Sequence, residues 1–466
     1  MRRLPPMFRA LELRNYRMWA LADLVSVTGT WMQVIALNWL VMSRTGSASA
    51  VGGAILLQAL PTLLLGSWAG ALADRFPARR ILVITQGAHA LLSVGMAVLA
   101  AGHAPLSWIF ALTFGAGLVG VFDGPAMGRF GSQVVGREGL GNALALGSIL
   151  SSAGRILGMS LAGVLVAVTG ESVLFLLNAA SFLVVIGAMF VVRPDELHPL
   201  ATSTPERAGV RAGLRILLRD RTLLTLFALA FVLSSLGRNY QVTMAAMSQG
   251  PLGAGPAGYG MLSTVFAVGT VLGGILAAQR RELSVKLLLV AAGATSVLQS
   301  VSGTSGGLWT FAAFLVPIAA GAVIIDTTLS TRVQLDTAED LRGRVVAAHG
   351  MVAAAAGAVG GPLLGWLCER FGPGHALESA GVVTGVATLV AGVMLLGRPQ
   401  WLPRFTRIAP STAPGASVPA VAAEEQTAPL PGLALVTTVP AVTTSVPSSA
   451  PSPVSAGAPR LATAEA

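Results

Sequence analysis

Long apolar runs recur along this chain, and lipid leaves each of them one way to satisfy its backbone. Twelve lie between Arg17 and Gly397, near residues 18–42, 49–73, 80–101, 106–128, 141–168, 172–192, 222–248, 257–279, 285–304, 307–331, 345–368 and 375–396. Each is about 20 residues or more, the length a helix needs to cross the hydrocarbon core. No water is at hand there, so a spanning segment must close its own hydrogen bonds as a helix or a sealed barrel. Barrel strands are about 10 residues of alternating pattern. These runs are longer and continuously apolar, which predicts helices. At 54% hydrophobic residues and a mean hydropathy of +0.73, the chain is too apolar for a soluble protein of 466 residues. Residues 1–17 are basic, but a full span follows them, so no cleavable signal peptide is expected.

The net charge of +10 suggests nucleic acid at first sight, but topology accounts for it. With the N-terminus in the cytoplasm, Arg2, Arg3, Arg9, Arg14 and Arg17 lie inside. So do Arg75, Arg79, Arg80, Arg129, Arg137, the six arginines from Arg193 to Arg221, Arg280, Arg281, Lys286, Arg332, Arg342, Arg344, Arg398, Arg404 and Arg407. The outer loops keep only Arg44 and Arg370. Such an asymmetry orients twelve spans with both ends in the cytoplasm of a bacterial plasma membrane. No nucleic-acid partner is expected. Trp19, Trp39, Trp108, Trp309, Trp366 and Trp401 sit near span ends, where interfacial aromatics are expected. The one cysteine, Cys368, rules out an internal disulfide, and no His/Cys cluster points to a metal or cofactor. His89 and His349 fall inside spans and read as packed residues, although a histidine there can carry protons.

Six spans, a polar break and six more spans give two six-helix bundles. Residues 1–192 form the first and 222–397 the second, with 193–221 a cytoplasmic linker whose second half has the arginine spacing of a surface helix. Residues 398–466 form a cytoplasmic tail, rich in Pro, Ala, Ser and Thr from 408 on, which predicts disorder. The halves resemble repeats. At an offset of 203, Asp123 falls on Asp326, Arg129 on Arg332, Gly147 on Gly350, Gly154 on Gly357 and Gly158 on Gly361. At an offset of 208, GTWMQV (29–34) falls on GRNYQV (237–242). Parallel repeats with a site between them near the midplane are a transporter plan.

Five charges lie within spans: Asp23, Asp123, Arg155, Arg238 and Asp326. Each costs about 2.5–3.5 kcal/mol at mid-bilayer, so each should face an interior or a cavity. Asp23 has no arginine close in sequence and is the best candidate for a protonation site. Arg155 could instead pair with Asp123 as a structural ion pair, and Asp123 and Asp326 could pair with Arg129 and Arg332 near span ends. Gln33, Asn38, Asn239 and Gln241 add neutral polar groups, for which helix–helix hydrogen bonds are the plainer role.

One short turn concentrates charge: GALADRFPARR, residues 70–80, between the second and third spans. Gly66 and Gly70 lie one turn apart, which permits close helix approach. Asp74 ends the helix, and Arg75, Arg79 and Arg80 follow. Taken alone, the turn need do no more than orient the chain. It also resembles the signature loop of the major facilitator superfamily, with Pro77-Ala78 where many members carry glycine. LRNYRMWALADLVSVTGTWMQVIALNWLV (13–41), FDGPAMGRF (122–130) and DLRGRVVAAHGM (340–351) are similar to the enterobactin-exporter-like, drug-efflux branch. The resemblance covers about residues 10–397 and excludes the tail.

That resemblance implies the major facilitator fold, with the first, fourth, seventh and tenth spans lining a central cavity. Four of the five buried charges fall on those spans. It implies that Asp74 latches the cytoplasmic side against the start of the eleventh span, near Gly343–Val345. The counterpart GGILAAQRR (273–281) lacks the acid, so the latch is one-sided. The fifth span has Met159 where drug antiporters carry proline, a departure that bears on proton coupling. The expected function is a monomeric secondary transporter that exports a small amphipathic molecule, of drug, macrolide or siderophore type, against protons. Alternatives are uptake or flipping of a metabolite or lipid, and a transport-inactive sensor or scaffold. The only lysine, Lys286, has no glycine-rich loop before it, so no Walker P-loop supplies ATP hydrolysis.

The orientation is testable by itself. Reporter tags at the N-terminus and between residues 199 and 220 should map to the same face of the membrane. Tags on opposite faces would overturn the twelve-span reading.

Overall fold

A computed structural model describes residues 6–73, 75–198, 221–237, 239–280, 282–335 and 339–396. Asp74, Arg238, Arg281, most of the linker, Trp401 and the tail therefore lie outside the described residues, as do the side chains of residues 339–344. The described residues are helical, with no strand among them. Twelve helices are long and apolar enough to cross a membrane. In the first half they are α1 (Arg14–Thr45), α2 (Ala48–Ala73), α3 (Ala78–Ala101), α4 (Leu106–Gly136), α5 (Gly139–Thr169) and α6 (Glu171–Val191). In the second they are α7 (Arg221–Gln249), α8 (Gly255–Ala278), α9 (Val285–Ser302), α10 (Leu308–Leu335), α11 (Glu339–Phe371) and α12 (Pro373–Leu396).

The chain is an all-α, multi-pass membrane protein with two six-helix bundles. In the first, α1 packs on α6 and on the α4–α5 pair, and α3 packs on α4 and α6. In the second, α8 packs on α10, α9 on α12, and α7 on α11 and α12. The outer surface is greasy: Leu91, Val168, Trp309 and Val393 are each at least 74% exposed. A soluble protein rarely leaves so much apolar surface bare, whereas hydrocarbon solvates it without cost.

Turns follow local chemistry. Gly46 ends α1 with φ 61°, a left-handed conformation open to glycine, and its N–H donates to Met42 O at 2.8 Å. Gly136, at φ 74°, breaks α4 from α5. The end of α1 that carries Arg14 is called the near end, and the end at Gly46 the far end. At the near end, Asn15 exchanges two 3.1 Å bonds with the backbone of Arg193, and Tyr16 donates to Ala143 O at 2.8 Å.

Two seams join the bundles, α2 with α11 and α5 with α8. Both are built from glycine. A Cβ on Gly260 would overlap the backbone of Gly163, and one on Gly52 would overlap the carbonyl of Gly361. A Cβ on Gly365 would press on Ala48 and Ser49. These close approaches lie towards the far end. Small residues let helix backbones touch, which is how helices associate where lipid is as apolar as any side chain.

Three expectations need correction. Trp19 and Trp39 are buried: Trp19 meets Phe130 edge-on, and Trp39 stacks on Tyr259 at 6.0 Å. Both sit on α1, which other helices surround, so packing takes them before the interface can. Trp108, Trp309 and Trp366 are exposed as expected. Next, α11 begins by Glu339 rather than at 345, because its charged first turns EDLRGR remain helical beyond the apolar run. Finally, α7 is not one unbroken helix but two segments, Arg221–Gly237 and Tyr240–Gln249.

Gly260→Val should therefore lower the thermal unfolding midpoint in detergent, since overpacking costs on the order of 1–3 kcal/mol. Gly274→Val, where an added Cβ meets open space, should leave the midpoint in place.

Candidate functional site

The first bundle encloses a cavity of about 270 Å³ at mid-depth, between α1, α3, α4 and α6. Its polar wall is organised around two acceptors. Asp123, from α4, accepts on one oxygen, Oδ1, from Thr85 Oγ1 at 2.6 Å and Gln86 Nε2 at 2.9 Å. Gln33, from α1, accepts on Oε1 from Ser93 Oγ and Asn178 Nδ2, both at 2.8 Å. Gln33 thus ties α1 to α3 and α6, the helix-joining role expected of it. His89 lines the same cavity and stacks on Phe182 at 5.2 Å. Gln86 and His89 are three residues apart on α3, so both reach the one face. Gln86 is 1% exposed and its Oε1 has no hydrogen-bond partner, an acceptor held ready beside Asp123.

A second cavity, of about 330 Å³, lies nearer the near end, between α1, α4 and α5. Asp23 lines it, with Tyr16, Trp19, Gly128 and Ser148. Met127 and Ser151 line both cavities, so the two adjoin. Asp23 and Asp123 therefore line adjoining cavities at successive depths of the bundle.

The other expected residues are placed apart. The Arg155 guanidinium lies 5.9 Å from the Trp31 ring centre, and its Nη2 donates to Thr270 Oγ1 on α8 at 2.9 Å, across the seam. Asp123 draws its hydrogen bonds from Thr85 and Gln86 of α3 instead, so the suggested Arg155–Asp123 ion pair is not what holds Asp123. Gln241 of α7 accepts on Oε1 from Asn38 Nδ2 of α1 at 3.4 Å, and Asn38 also donates to Tyr259 Oη of α8 at 3.4 Å, so these contacts join the bundles beside the seams. Asp326 lines a pocket of only about 20 Å³ with Ser234, Thr295, Ser296, Gln299 and Thr384. Arg332 Nε donates to Leu283 O at 2.6 Å. Arg238 lies outside the described residues. In the turn after α2, Gly70 is helical, Arg75 and Arg80 are exposed, and Arg79 is half-buried. Asp74 lies outside the described residues. Among the described residues no group of His, Cys, Asp and Glu could hold a metal.

Sequence reading passed over Thr85, Gln86, Ser93 and Asn178. Their signal is faint: single polar residues in apolar runs, each on the face its helix turns inward. Only the packing of α3 and α6 against α1 and α4 shows which carboxylate and which amide they serve.

This geometry, adjoining cavities inside one of two helical bundles joined by glycine seams, has parallels among known proteins. Residues 7–423 match the family described as Transmembrane secretion effector. The chain is 27% identical over 192 residues to the Staphyloferrin A transporter of Staphylococcus aureus, a match covering 41% of this chain and 47% of that protein. It thus spans about half the length of that relative. It is 25% identical over 405 residues to the Multidrug efflux pump Tap of Mycolicibacterium fortuitum, covering 81% of this chain and 94% of the pump. Among solved structures, the nucleoside transporter NupG aligns with a TM-score of 0.64 at 11% identity, over 82% of this chain and 98% of NupG. A bacterial homologue of the iron transporter ferroportin, in an inward-facing state, aligns at 0.63 and 15%, over 81% and 98%. At such identities the two structures speak for the fold alone. With its family matched over nearly the whole length, the chain belongs to the transmembrane secretion effectors of the major facilitator superfamily, a family of membrane transporters.

Proposed function

We propose that this protein is a secondary active transporter of the bacterial plasma membrane. It exports small amphipathic molecules of drug, macrolide or siderophore type by alternating access, driven by protons, with both termini in the cytoplasm. The observation that carries this reading is the pair of adjoining cavities with Asp23 and Asp123 at successive depths. The relatives named above, an efflux pump and a siderophore transporter, support the class of cargo.

The chemistry of Asp123 suits a proton site. Thr85 and Gln86 donate to the same oxygen. A proton taken on the other oxygen leaves both bonds in place, so the carboxyl changes charge without losing its setting. Neutralising a carboxylate in an apolar bundle removes a cost of several kcal/mol. The halves can then rock with a cavity of different polarity. A proton moving down 100 mV supplies about 2.3 kcal/mol, and one or two suffice to drive export against a gradient. The largely apolar walls beside Asp23 take the greasy part of the cargo, while the more polar wall of the Asp123 cavity suits its polar part.

In everted vesicles with an imposed pH gradient, Asp123→Asn should cut gradient-driven uptake of a dye or antibiotic by roughly tenfold or more, with expression unchanged. Asp195→Asn, an exposed site outside the spans, should transport normally. Full gradient-driven flux in Asp123→Asn would refute proton coupling through this site, and flux in the opposite sense would refute export.

A further inference from the structure

The far end of the α2–α11 seam carries a charge that no role above uses. Glu369 lies near the end of α11 in the second bundle and is exposed. Its carboxylate sits on the N-terminus of α2 in the first bundle. Ser47 Oγ donates to Oε1, Ser49 N–H donates to Oε1 at 3.2 Å, and Ser49 Oγ donates to Oε2 at 2.6 Å. Ser47 meanwhile accepts from the Ala50 N–H at 3.0 Å. Ser47 is the residue before the first helical position, and Ala50 stands three beyond it. The serine thus caps the third N–H of the turn, its own N–H donates to Thr45 Oγ1 at 3.0 Å, and the acid captures the second N–H, so the arrangement does the work of a capping box with different partners. In an ordinary box the acid comes from the same helix. Here position 50 is alanine, and the acid comes from the opposite half of the protein.

We infer that Glu369 is the latch of the far gate: it closes that side of the transporter by completing the cap of α2 in trans. The inference rests on the alternating-access reading above. Two independent features support it. The same seam is glycine-lined at Gly52, Gly361 and Gly365, so its backbones touch only while the far end is closed. The other is that all three contacts of the carboxylate fall on one short stretch, 47–49, so they form and break together. A carboxylate on a helix N-terminus gains from both the free N–H groups and the helix dipole, yet remains a contact that opening can break. When the halves rock open at the far end, α2 loses its acid and water takes its place. Glu369 is thus a positioning residue that biases the resting state towards access from the near end.

The test uses the full chain with Cys368→Ala and one new cysteine, Ile55→Cys, beside Gly361 in the seam. The rate of labelling by a membrane-impermeant maleimide from the far face reports gate opening and needs no substrate. Glu369→Ala should raise it roughly three- to tenfold. Ser47→Ala/Ser49→Ala should do the same, and combining them should add little, because both remove one interaction. Glu369→Gln reads the share due to charge. A second reporter, Ser151→Cys, which lines both near-side cavities, should label more slowly from the near face in the same variants, a change that loosened packing alone would not produce. Unchanged labelling of Ile55→Cys in Glu369→Ala, or full additivity, would overturn the latch. Raised labelling in a protein that moves no tested compound would leave the latch standing and remove the export reading.

Discussion

Backbone contact between glycines at the two seams is what lets this molecule be two things at once. Gly163 on Gly260, and Gly52 on Gly361, bring helices of opposite halves closer than any side chain would allow. In lipid no hydrophobic force drives helices together, so van der Waals contact at short range must do it. Such contact is specific to one arrangement and falls away steeply with separation. It needs no charge to be desolvated again in each cycle. The polar contacts between the bundles, Asn38 with Gln241 and Tyr259 and Arg155 with Thr270, add to what the glycines bring together.

The two bundles use one plan for different ends. Asp123 and Asp326 occupy matching places in the repeat, but their surroundings diverge. Around Asp123 the helices leave about 270 Å³ and a further 330 Å³ beside Asp23, whereas the pocket at Asp326 is about 20 Å³, room for little more than a water. The polar groups around Asp123 and Asp23 thus face open space, whereas Asp326 is closely packed. Gln33 shows how that room is kept polar yet stable: a single carbonyl oxygen satisfies donors from two other helices, leaving none of the three groups bare in a low-dielectric interior.

Most of the architecture was legible from the chain alone, because lipid enforces a simple rule. Any run of about 20 apolar residues must be a helix. The predicted runs therefore lie on the observed helices within a few residues, apart from the early start of α11 and the break in α7. The positions of Asp23, Asp123, Arg155 and Asp326 within spans were equally legible, since a charge in an apolar run stands out. Partners were not. Nothing near Asp123 in sequence indicates Thr85 or Gln86, and Arg155 finds Thr270 115 residues away. Trp19 and Trp39 misled because closeness to a span end says nothing about which neighbours surround that helix.

Sequence by itself determined the count of crossings, the basic bias of one set of loops, the repeat, and which charges had to be sheltered. Those follow from transfer free energies that act residue by residue. Only tertiary structure decided which side of each helix faces a cavity, that Asp123 and Asp23 border far more space than Asp326, and that Glu369 of the second bundle reaches the N-terminus of α2. Those depend on helix rotation and on backbone separations of an ångström or less, which hydropathy does not encode and which packing alone sets.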